Sequence, residues 1–173
     1  MNKAVFLDKD GTLVNNQAYP PIIPTNDLLE EQVIEGLLYL QRLGFKLIII
    51  SNQSWIGKRL MSVGDVEKAF SQLLALLTKY NIAITAYYYC PHTSSDNCGC
   101  KKPQPGLILQ AAVEHNIDLT KSYFIGDTDK DILAGKNAGL KTVLVSNQYS
   151  LAAPDYIISN INHIKEVIPD EAT

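Results

Sequence analysis

The sequence predicts an α/β fold, a parallel sheet with helices on both faces, and three observations carry that expectation. Short apolar runs such as Ala4-Val5-Phe6-Leu7 and Leu47-Ile48-Ile49-Ile50 lack the polar alternation of a half-exposed strand. That is how strands buried on both faces read. Between such runs lie segments with apolar residues three and four apart, the spacing of a one-sided helix. Finally, the two kinds of segment alternate along the chain, which implies right-handed crossovers and a sheet covered on each side.

The elements follow in order. Residues 4–7 form the first strand, and residues 14–27, rich in Asn, Pro and Tyr, read as a loop. Residues 30–43 carry Val33, Leu37, Leu40 and Leu43 at helical spacing, and Gly44 ends that helix. Residues 46–50 are the second strand. Ser62-Val63-Gly64-Asp65 matches a capping box and opens a long helix. Its inner stripe is Val66, Ala69, Phe70, Leu73, Leu74 and Leu77. A strand at 86–89, a cysteine-bearing loop, a helix at 106–114, a strand at 123–125, a helix at 131–138 and a strand at 142–145 come next. Residues 156–158 suit a short edge strand, residues 161–168 a closing helix, and the residues past Pro169 a frayed end. No linker or domain-scale repeat interrupts the chain, so residues 1–173 are expected to form one domain, Rossmann-like in its winding.

Composition removes several function classes. With 46% apolar and 19% charged residues the chain can build a core, which excludes disorder. A net charge of −3 leaves no basic footprint for nucleic acid. No apolar stretch approaches the roughly 20 residues of a membrane span, and Met1-Asn2-Lys3 leads straight into a strand without a signal-peptide layout. Three cysteines within eleven residues point to a reduced compartment and a metal rather than disulfides. A cytoplasmic location is expected.

Chemistry gathers at the strand ends. The first strand runs into Asp8 and Asp10 ahead of Gly11. Two acids one residue apart can divide labour, one attacking and one moving protons. A calcium loop would need glycine at its sixth position and glutamate at its twelfth; counted from Asp8, Gly11 is fourth and Tyr19 twelfth. The second strand ends in Ser51-Asn52-Gln53, and the strand at 123–125 in Gly126-Asp127 with Asp131 four residues on. Lys101 and Lys102 precede a helix start. These residues share the carboxyl edge of the sheet, where open α/β folds bind ligands. Singly, each suits a cap or a turn, Ser51 most of all, and Ser146-Asn147-Gln148 repeats one tripeptide without an evident task. Together the acids need a cation, and an all-oxygen donor set favours Mg²⁺.

Cys90, His92, Cys98 and Cys100 supply four soft ligands, a set that suits tetrahedral Zn²⁺ in the loop 90–100; free thiols beside an incidental histidine are the competing reading. With no open ligand position the zinc is expected to be structural and to pin the loop that presents Lys101 and Lys102. His115 and His163 read as surface helix residues.

In this order, Asp8-x-Asp10-Gly11-Thr12, Ser51, Lys102 and Gly126-Asp127-x-x-x-Asp131 resemble the four motifs of the haloacid dehalogenase-type phosphatases. The resemblance implies that Asp8 attacks phosphorus to form an aspartyl-phosphate and that Asp10 protonates the leaving oxygen and then activates water. It further implies that Ser51 and Lys102 hold the phosphoryl group, with Mg²⁺ on Asp8, the Asp10 carbonyl and Asp127, supported by Asp131. The zinc loop followed by Lys101-Lys102-Pro103-x-Pro105-Gly106 is similar to the bacterial D-glycero-D-manno-heptose 1,7-bisphosphate phosphatase family, with the histidinol-phosphate phosphatases as near relatives. That likeness implies release of the 7-phosphate of the heptose, with Asn16, Tyr19, Asn52, Gln53, Ser54 and Lys101 at the substrate. Histidinol phosphate or another small phosphorylated metabolite is the alternative; an inactive zinc-stabilised interaction module and a nucleic-acid 3′-phosphatase are weaker. The motif spacing leaves no room for a cap domain. Lys101 stands where arginine is usual, Thr128 where Lys or Arg is, and Trp55 where glycine is. Oligomeric state is not set by these residues, and a monomer fits them.

Overall fold

The computed structural model describes residues 1–15 and 28–170, so Asn16 and Tyr19 lie outside it. The strands are β1 (Ala4–Leu7), β2 (Lys46–Asn52), β3 (Ile84–Cys90), β4 (Tyr123–Gly126), β5 (Lys141–Val145) and β6 (Tyr156–Ile158). The helices are α1 (Glu30–Arg42), α2 (Val63–Lys79), α3 (Gly106–Glu114) and α4 (Asp129–Asn137). All neighbouring strands run parallel, in the order β3-β2-β1-β4-β5-β6. This is the expected doubly wound α/β sheet. Its winding reverses beside β1, which places the switch-point crevice between β1 and β4, at Asp8 and Asp127.

The uninterrupted apolar runs have a direct cause. Along β1 and β2, Val5, Leu7, Leu47 and Ile49 face one core with α1 and α2, while Ala4, Phe6, Ile48 and Ile50 face a second with α3 and α4. Successive side chains of a strand point to opposite faces, and here both faces are covered. Emptying one position, as in Phe6→Ala, costs about 3–5 kcal/mol.

Several bounds differ from the sequence expectation. β2 runs two residues past its apolar stretch, so Ser51 and Asn52 are strand residues held by β3. α4 starts at Asp129, because Thr128 and Asp131 form a capping box that the apolar pattern does not reveal. The closing helix, expected over 161–168, is a 3₁₀ helix, Ile161–Glu166, and so ends at Glu166. Its buried residues Ile161 and Ile164 are three apart, the 3₁₀ repeat, and Asn162 ties it to Gly36 and Glu31 of α1. The capping box of Ser62 and Asp65 on α2 is as expected. Connections 53–62 and 91–105, which flank the crevice, are too short for a cap domain. Among the described residues, no helix is long and apolar enough to cross a membrane.

Candidate active site

After β1 the chain turns tightly. Lys9 O accepts from Leu13 N and Val14 N, Gly11 N donates to Val14 O, and Gly11 takes the left-handed φ of +95° that this turn requires. Asp8 is thereby fixed at the strand end, 6% exposed. Its Oδ1 lies 2.5 Å from Lys102 Nζ, and its Oδ2 accepts from Thr12 Oγ1 at 3.3 Å. Thr12 also donates to Asp127 Oδ1 at 3.1 Å, joining the ends of β1 and β4.

Lys102 enters from the zinc loop. Its ammonium reaches Asp131 Oδ1 at 2.7 Å and Ile50 O at 2.9 Å, and it is 3% exposed. Asn52 clamps the Lys102 backbone, donating to its carbonyl at 3.1 Å and accepting from its N–H at 3.0 Å. Asp131 is held from behind by Thr128, whose N–H and hydroxyl both donate to Oδ2. Gly126 makes that approach possible, since a Cβ there would lie 2.4 Å from Asp131 Cβ.

Three carboxylates, Asp8, Asp127 and Asp131, place ligand atoms within 4.8 Å of one another. Burial pushes the Asp8 carboxyl up to about 8 despite Lys102, and burial raises Asp127 as well. Burial also opposes the charge of Lys102, but Asp8 and Asp131 outweigh it and hold the ammonium above its ordinary value. Buried like charges with oxygen donors fit a hard divalent cation such as Mg²⁺.

Asp10 is the more open acid, 31% exposed at its side chain. Lys9 Nζ lies 2.6 Å from its Oδ1. Gln53 Nε2 donates to its Oδ2 at 2.9 Å and to Ser51 Oγ at 2.8 Å. Ser51 and Gln53 are both buried. Two cavities meet at Asp10 and Asn52. One, of about 170 Å³, is lined by Asp8, Lys102, Thr128, Lys130 and Asp131. The other, of about 280 Å³, is lined by Lys9, Gln53, Ser54, Trp55, Lys58 and Met61. Trp55 therefore walls a cavity, with Lys58 Nζ 4.9 Å from its ring centre.

The cysteine loop closes on itself. Cys90 Sγ is 3.2 Å from Cys100 Sγ and 3.5 Å from Cys98 Sγ, and His92 Nδ1 is 3.2 Å from Cys100 Sγ. Tetrahedral zinc at about 2.3 Å from sulfur would set its ligand atoms about 3.8 Å apart, so small outward shifts fit the ion. Cys90 is buried, which pushes its thiol up to about 12, so a metal binding there would displace a proton from the sulfur. Backbone bonds from Gln53 N to Cys90 O and from Gly57 N to Pro91 O stitch the loop to the end of β2. Lys101 adds bonds to Ser54 Oγ and to His92 O.

The expected residues from Asp8 to Asp131 thus converge, apart from Asn16 and Tyr19, which are not described. Asn52 lines the cavities but commits its amide to Lys102, and Lys101 is tied into the loop. Lys9, Thr12 and Lys130 were not singled out by sequence, although the first two lie inside the opening motif. His163 is exposed and lies 2.8 Å from Glu166, and His115 Nε2 lies 3.0 Å from Tyr88 Oη, so neither joins the site.

Residues 99–164 match the HAD-hydrolase-like family model. A D-glycero-beta-D-manno-heptose-1,7-bisphosphate 7-phosphatase of Helicobacter pylori is 38% identical over 96% of this chain and 95% of its own length. The Pasteurella multocida protein of that name is 34% identical over 97% of each chain. A histidine biosynthesis bifunctional protein of Baumannia cicadellinicola is 34% identical over 82% of this chain but only 40% of its own length. Among solved structures, the D,D-heptose 1,7-bisphosphate phosphatase of B. bronchiseptica, complexed with magnesium and phosphate, superposes with a TM-score of 0.86 at 22% identity, covering 96% of this chain and 97% of its own. Chain-long identity of this order leads to one conclusion: the chain belongs to the phosphatase family of the D-glycero-beta-D-manno-heptose-1,7-bisphosphate 7-phosphatases, within the haloacid dehalogenase-like hydrolases.

Proposed function

We propose that this protein, one domain over residues 1–173, releases the 7-phosphate of D-glycero-D-manno-heptose 1,7-bisphosphate in the cytoplasm through an aspartyl-phosphate. The carrying observation is the convergence of Asp8, Asp10 and Lys102 on one crevice. Asp8 attacks phosphorus as the bond from phosphorus to the sugar oxygen breaks, and Asp10 gives its proton to that oxygen. Water then attacks the aspartyl-phosphate, Asp10 takes a proton from it, and inorganic phosphate leaves. Lys102 and Thr12 each hold one oxygen of Asp8, which fixes the plane of the nucleophile. Ser51 and Lys102 face the charge that shifts during transfer. Mg²⁺ would be held by Asp8, the Asp10 carbonyl and Asp127 with Asp131 in support, and would supply neutralisation of that charge. Zn²⁺ would be held by Cys90, His92, Cys98 and Cys100 and would keep the Lys101-Lys102 segment in place. Asn52, Gln53, Ser54 and Lys101 form the proposed substrate surface, and Asn16 and Tyr19, outside the described residues, are assigned to the substrate by the sequence resemblance alone.

The sugar assignment rests on relatives matched end to end, whereas the histidine-pathway match spans 40% of that protein. The short interval between His92 and Cys98 favours histidinol phosphate as the second reading. A phosphate-release panel with both anomers of the bisphosphate, the heptose monophosphate and histidinol phosphate separates them. Turnover of histidinol phosphate alone overturns the heptose assignment, and full activity in Asp8→Asn overturns the covalent route.

A further inference from the structure

The proposed reaction gives Lys9 no task, yet Lys9 is a buried cation inside the motif, 4% exposed. Among the described residues, the carboxylate within ion-pair distance of it is that of Asp10, at 2.6 Å. Beneath the ammonium, 5.7 Å away, is the centre of the fully buried Phe70 ring. Phe70 is stacked on Tyr87 at 4.4 Å and on Tyr89 at 5.6 Å. Both tyrosine hydroxyls donate to Glu67 at 2.6 Å, so the stack is braced from its far side. Gln53 takes the other oxygen of Asp10 from the end of β2.

Packing alone does not call for a charge here. Burying an ammonium costs several kcal/mol of hydration, and methionine would fill the same space over an aromatic ring. An ammonium on Oδ1 and an amide on Oδ2 instead fix both torsions of a short side chain that is otherwise open to the cavity. Proton transfer needs a donor within hydrogen-bond reach of the leaving oxygen, and a misplacement of about 1 Å costs up to about 100-fold. We infer that Lys9 is a positioning residue which, from its seat on the Phe70 stack and together with Gln53, holds the Asp10 carboxyl in line with the leaving oxygen. The inference rests on the acid role proposed above for Asp10.

The leaving group provides the test. A sugar alkoxide departs only with a proton, whereas an acidic nitrophenol departs without one. kcat/KM reports the steps through cleavage of that bond, so it is measured for the heptose bisphosphate and for 4-nitrophenyl phosphate. Asp10→Asn sets the reference, with a loss on the sugar ester of about 10²- to 10⁴-fold and a much smaller loss on the aryl ester. Lys9→Met is expected to show the same selectivity at about 10- to 100-fold, Lys9→Arg to restore most of it, and Gln53→Leu to repeat it. Lys9→Gln replaces Lys9→Met if the latter does not fold by circular dichroism. Equal losses on both esters in the Lys9 variants, or no loss, overturn the inference alone when Asp10→Asn remains selective. Equal losses in Asp10→Asn overturn the acid role, and the inference with it.

Discussion

Lys102→Met removes the one ammonium that neutralises two buried carboxylates. Lys102 lies 2.5 Å from Asp8 and 2.7 Å from Asp131, and all three residues are at most 6% exposed. Without the lysine, acids whose ligand atoms lie within 4.8 Å repel by about 3–4 kcal/mol at an effective dielectric near 20 once both are ionised, above about pH 8. Orphaning a buried charge costs about 3–5 kcal/mol by the same reasoning. For a chain of this size that lowers the thermal midpoint by about 6–20 °C in metal-stripped protein at pH 7. The deficit grows toward pH 9, because Asp8, raised to about 8 with Lys102 present, keeps its proton at pH 7 and ionises beside Lys102 only above about 8. Added Mg²⁺ is expected to stabilise the variant more than the parent, since a cation then meets two unneutralised acids. Phosphate release falls at the same time. Differential scanning calorimetry at both pH values, with and without Mg²⁺, checks each part. A midpoint within 2 °C of the parent in metal-stripped protein at pH 7, with no larger Mg²⁺ response, would refute the reasoning.

Three further outcomes follow from the same geometry. Metal-stripped wild-type protein should lose stability as pH rises from about 4 to about 8, because the folded state keeps on Asp8 a proton that the unfolded chain releases near 4; Mg²⁺ affinity should rise across that window, and urea titrations with isothermal calorimetry would show a flat profile if the assignment is wrong. Gly126→Ala drives a Cβ to 2.4 Å from Asp131 Cβ and should cost about 1–3 kcal/mol and much of the turnover, measured by thermal unfolding and phosphate release. Elemental analysis of protein prepared without chelators should find one zinc per chain, and Cys98→Ser should lower both zinc content and thermal midpoint; zinc-free, equally stable wild-type protein would remove the Cys90, His92, Cys98 and Cys100 site.

Much of this site is legible in one dimension because α/β winding puts every strand's carboxyl end on one edge. Asp8, Ser51 and Asp127 could be placed together once their strands were found, since a strand end carries its polar residue to a known side of the sheet. The Cys/His cluster was legible for another reason: four soft ligands within eleven residues need no long-range folding to meet. Partner choice was not legible. Asn52 reads as a substrate residue by position, yet its amide is spent on the Lys102 backbone 50 residues away. Asp131 reads as a helical neighbour of Asp127, yet its side chain completes the capping box of α4 with the N-cap Thr128 and pairs with Lys102. The type of the final helix was not legible, because apolar residues three apart suit both an α and a 3₁₀ turn, and docking on α1 chose between them.

The sequence by itself determined a parallel sheet with helices on both faces and the candidate groups at its strand ends, because apolar period and strand-end position are local properties of the chain. Only the tertiary structure decided how those groups are paired. Lys102 went to Asp8 and Asp131, and Lys9 to Asp10, because each lysine is buried and cannot remain without a counter-charge. Which carboxylate lies within about 3 Å of which ammonium is set by loops that meet across the crevice, and spacing along the chain carries no record of that.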